Sequence, residues 1–121
     1  MPITVNRLES RIYHSKWADY VSVEDMQASM QRRQELAASD NAESYVVIVE
    51  ISQGVRIPFN LEALRQAIEG DPKVLAFIVV GVTLQARILV ESLMKISPTK
   101  LEIADSLEDA LKRARSLLEG K

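Results

Sequence analysis

Three stretches carry the polar residues best suited to binding chemistry: Ser52, Gln53 and Arg56 within 52–60, Thr83 and Arg87 at and just beyond 81–83, and Asp105 with Ser106. Each runs into an apolar pattern at helical spacing, with Asn60, Thr83 and Ser106 at the cap positions. The first amides of such helices can hold an anion and a nearby arginine adds positive charge, so a phosphate or carboxylate could be bound there. The simpler reading is that the three side chains only cap their helices and that Arg56 and Arg87 are solvated.

His14 is the single histidine. Metal or acid–base use would need a second histidine or a paired carboxylate, and its neighbours Ser15 and Lys16 supply neither, so an exposed strand histidine is expected. Glu50 interrupts an apolar strand and is expected to pair with a lysine or arginine at the strand edge. Trp17, Tyr13 and Tyr20 are expected to cover the open side of the core, the alternative being the frame of an apolar pocket or a partner surface. Met26 and Met30, one helical turn apart, read as core contacts, and residues 31–35, QRRQE, as a solvated polar stretch. No nucleophile–base pair, glycine-rich phosphate loop or metal cluster can be named and cysteine is absent, so neither cofactor, metal nor enzymatic activity is expected.

The elements that position these residues follow from apolar periodicity. Residues 3–8 and 11–17 read as two strands joined so tightly that they must pair antiparallel. A helix capped by Ser22 follows, with Glu24 and Asp25 in its first turn, fading over 37–41. The β-branched runs 45–51 and 74–82 and the short run 101–104 read as buried parallel strands, each leading into a helix: 61–69, 83–94 and 106–118. The order ββαβαβαβα predicts an α/β fold with one mixed, mostly parallel sheet flanked by helices. In such a sheet ligands tend to sit beyond the strand carboxyl ends, where the three loops should lie.

A chain of 121 residues fits one domain spanning 1–121. Fifteen Lys and Arg against seventeen Asp and Glu give a net charge of −2, so no nucleic-acid footprint is expected. Neither a signal pattern nor an apolar run of membrane-spanning length is evident, and the chain is expected to be cytoplasmic.

In residues 17–25 (WADYVSVED), 47–52 (VIVEIS) leading into 57–61 (IPFNL), and 104–110 (ADSLEDA), the chain resembles the STAS and SpoIIAA-like superfamily of anti-sigma-factor antagonists over nearly its whole length. The resemblance implies a single mixed sheet with flanking helices and a non-catalytic role in protein regulation or small-ligand sensing. Phospho-switching members carry a serine at the helix start after the central strand. Here 57–61 hold no hydroxyl, so the resemblance extends to fold and general role and not to that switch. A regulatory or protein-interaction domain follows as the expectation, its partner another protein or a second copy and its partner surface the loop and helix of 52–64. The alternative is a carrier or sensor of a small apolar or anionic ligand, which a cavity of roughly 300 Å³ or more would favour.

Overall fold

Strand alternation decides which residues each face of the sheet receives. In the computed structural model, residues 2–57, 60–81 and 83–120 are described; Val82, expected to end a strand, and Pro58 and Phe59, in the loop before Asn60, lie outside them. β1 (Ile3–Glu9) and β2 (Ile12–Trp17) form the antiparallel hairpin. β3 (Tyr45–Ile51), β4 (Val74–Val80) and β5 (Lys100–Ala104) add in parallel, giving the spatial order β1-β2-β3-β4-β5. The helices α1 (Val23–Ser39), α2 (Leu61–Glu69) and α3 (Leu84–Ile96) connect the strands, and α4 (Leu107–Leu118) follows β5. The expected element order and mixed sheet are what the chain adopts.

Each parallel connection steps one strand in the same direction, so right-handed crossovers place α1, α2 and α3 on one face. Tyr13, Val47, Phe77 and Leu101 form one row across that face, and Ser15, Val49 and Val79 the next. α4 packs on the opposite face, where Ala110 and Ala114 let it close against Ile12, Val46, Ile48 and Ile78. Both faces are therefore covered, as the uninterrupted apolar strands require.

Under α1 the Tyr13 and Tyr45 rings meet edge-to-face with centroids 5.1 Å apart. The Tyr13 hydroxyl donates to Asp40 Oδ2 at 2.7 Å. Burial first, then this hydrogen bond, pushes its pKa up to about 12. A phenol with a raised folded-state pKa adds stability that is complete below the unfolded value of about 10 and lost as pH climbs through the folded one. The stability difference between wild type and Tyr13→Phe should therefore shrink between about pH 10 and 12. Urea titrations at stepped pH, with tyrosinate absorbance followed in both proteins, read this directly; a pH-independent difference would contradict it.

Candidate functional site

β3, β4 and β5 run parallel, so the loops that follow them open at one end of the sheet. Asn60, Thr83 and Ser106 all act as caps, accepting from the backbone N–H of Ala63 (3.0 Å), Ala86 (3.2 Å) and Asp109 (3.1 Å). α2 and α3 lie on one face and α4 on the other, so the starts of α2 and α3 share a face and that of α4 lies across the sheet. Strand-end crevices form where strand order reverses, and here the order runs straight from β1 to β5.

The remaining strand-end residues are spread out. The Arg56 backbone is tied to the segment before α1, its N–H donating to Asp19 O (2.8 Å) and its carbonyl accepting from Val21 N–H (2.9 Å), while its side chain is exposed. The Ser52 N–H donates to Trp17 O (3.0 Å), and its carbonyl accepts from Val55 N–H (3.2 Å) to close a turn holding exposed Gln53. Arg87 approaches Glu91 at 4.0 Å on the outside of α3, and Asp105 is exposed.

A different site lies deeper. Between the sheet and α1, α2 and α3 is an almost wholly apolar cavity of about 90 Å³. Trp17, Val49 and Phe77 are among its walls on the sheet side, Leu89 and Leu93 on the α3 side, and Met26, Met30 and Arg33 on the α1 side. Arg33 is only 4% exposed, and its guanidinium carbon lies 5.2 Å from the centre of the Phe77 ring. Its Nε and Nη2, and the indole Nε1 of Trp17, are buried without a hydrogen-bond partner among the described residues. Burial pulls the Arg33 pKa down to about 10, against the pull of the Asp71 carboxylate, so the group remains a cation at neutral pH. The QRRQE stretch is thus not uniformly solvated. Arg33 follows Met26 and Met30 and precedes Ala37 on the helical stripe facing the sheet.

A larger hollow of about 310 Å³ lies between β5 and α4. It is rimmed by Lys100, Lys112 and Arg113 around one acid, Glu102, which pairs with Lys100 at 3.6 Å and Arg113 at 3.1 Å. The interior cavity falls below the roughly 300 Å³ of a pocket for a drug-sized ligand.

His14 is 9% exposed, contrary to the surface position expected for it. The β2–β3 register sets Lys16 opposite Glu50 and leaves His14 two residues away on the same face. His14 Nε2 and Glu50 Oε1 are 2.8 Å apart. Glu50 therefore pairs with histidine, not with the lysine or arginine anticipated, because strand pairing joins residues distant in sequence. Of the aromatics, Tyr13 is core, Tyr20 is 61% exposed and Trp17 lines the cavity. Among the described residues no group of three His, Asp or Glu could hold a metal ion, and no helix is long and apolar enough to cross a membrane.

The chain matches no family model and no curated protein. Among solved structures it is similar to an uncharacterised protein of the DUF3478 family from Shewanella loihica PV-4, described as having a SpoIIAA-like fold. The TM-score is 0.64 at 11% identity, over 93% of this chain and 91% of that one. The fold is SpoIIAA-like. At this identity the likeness carries the SpoIIAA-like architecture alone. The cavity, Arg33 and the His14–Glu50 pair are features of this chain's own residues within it.

Proposed function

We propose that the chain is a non-enzymatic regulatory module that works through protein contact, with the outer face of α3 as its docking surface. The observation that carries this is that α3 is apolar on both sides. Ala86, Leu89, Val90 and Leu93 are buried, while Leu84, Ile88, Met94 and Ile96 are 78%, 52%, 46% and 53% exposed. A helix with one face already packed needs a reason to show large apolar side chains on the other, and a partner is the usual one.

The partner that the pattern fits is a second copy. An antiparallel two-fold pairing centred on the level of Leu89 sets Arg87 of each copy level with Glu91 of the other, and Leu84 level with Met94. A face complementary to itself in both charge and apolarity suits an isologous dimer. In sedimentation equilibrium the wild type should associate reversibly, Arg87→Glu should be monomeric, and the Arg87→Glu/Glu91→Arg pair should dimerise again. A wild type monomeric at the highest attainable concentration would rule out self-pairing and leave α3 to another protein. Small-ligand sensing is the second reading, favoured not by the volume of the cavity beneath the same helix but by Arg33 on its wall, whose Nε and Nη2 have no hydrogen-bond partner among the described residues.

A further inference from the structure

Arg33 is an anomaly for a folded chain. Buried polar groups are nearly always hydrogen-bonded, and a buried cation with idle donors is among the least favourable arrangements a core can hold. The two idle nitrogens, Nε and Nη2, share one edge of the guanidinium plane, the edge that receives a carboxylate through two parallel hydrogen bonds. The nearest buried acid, Asp71, is 6% exposed and already accepts from the Tyr45 hydroxyl and from Lys73 N–H at 3.0 Å. It acts on Arg33 through space without a hydrogen bond between them.

We propose that the cavity is a binding site for a short aliphatic carboxylate. The carboxylate lies against Arg33 Nε and Nη2, with the Trp17 indole N–H as a third donor on the same cavity, and the alkyl tail lies among Val49, Val79 and Leu93. One cation in an otherwise apolar enclosure suits a monoanion with an apolar tail better than a dianion such as phosphate. The volume sets the tail length. About 90 Å³ is less than the ~150 Å³ that holds benzene, so only a few carbons fit in the main chamber.

A second hollow of about 70 Å³ lies between α1 and α2 and shares Met26, Met30 and Ala67 with the first. It gives the ligand a route from the surface and room for the end of a six-carbon chain. The two methionines on this route are unbranched and adaptable, suited to moving aside and closing again. This inference rests on the cavity alone and is independent of whether α3 pairs.

The test compares hexanoate with hexan-1-ol, equal in chain length and different in charge, by titration calorimetry and by NMR of the methionine methyl groups. Hexanoate should bind saturably, shift the Met26 and Met30 methyl signals, and bind at least tenfold more tightly than the alcohol. Arg33→Met, which fills similar space without charge, should reverse that preference. Equal affinities for the two probes in the wild type would overturn the carboxylate assignment while leaving an apolar cavity. No binding of either probe would overturn the site itself. The wild-type comparison decides the matter even where the variant folds poorly, and undiminished hexanoate affinity in a folded Arg33→Met protein would also overturn it.

Discussion

Replacing Asp71 by asparagine is expected to lower the unfolding free energy by about 3 kcal/mol, a large loss for one nearly isosteric change. The carboxylate is buried between α2 and β4, where it accepts from the Tyr45 hydroxyl and from Lys73 N–H. An amide can keep one of these contacts but not the charge, and that charge is what offsets the desolvation of Arg33. The estimate sits at the low end for a buried ion deprived of its counter-charge because the two groups act across a gap. Arg33→Met in the Asp71→Asn background should recover part of the loss, giving a coupling on the order of 1 kcal/mol in a double-mutant cycle followed by urea unfolding. Strictly additive costs would show that Asp71 works through its hydrogen bonds alone.

Gly81→Ala should be at least as damaging, with a loss of about 3 kcal/mol or more. Gly81 follows β4 at φ +78°, and a Cβ there would stand 2.5 Å from the carbonyl oxygen of Ile51 on the neighbouring strand. The left-handed backbone alone costs an L-residue roughly 1–2 kcal/mol, and here the obstacle is backbone that can move only by breaking the β3–β4 ladder. Gly54 is the internal control. Its φ is similar at +82°, but nothing lies within 4 Å of its missing Cβ, so Gly54→Ala should show only the conformational part. Similar losses at the two positions would mean that the Ile51 contact relaxes cheaply.

Much of the fold was legible along the chain because local rules suffice for it. α2 begins and ends where Asn60 and Gly70 place its limits, and the caps at Thr83 and Ser106 bond as their types suggest. The face chosen by each helix was not legible, since element order alone does not reveal that the strands add in one direction. The burial of His14 is not legible locally because its partner, Glu50, becomes a neighbour only through the β2–β3 register. The burial of Arg33 is obscured for a different reason. Charge density in QRRQE outweighed the stripe Met26–Met30–Arg33–Ala37, and that spacing was the available signal for a buried arginine.

The straight strand order also has a meaning for how the chain acquires its shape. Every strand pairs with the one made just before it, so as synthesis proceeds each new strand meets a finished edge and no early strand waits for a distant one. The hairpin serves as the template on which the rest is laid down. α4, made after all five strands, is the segment that covers Ile12, Val46, Ile48 and Ile78. Until it docks, half of the sheet's apolar surface faces water, and the nascent protein is then at its most vulnerable to association with others of its kind.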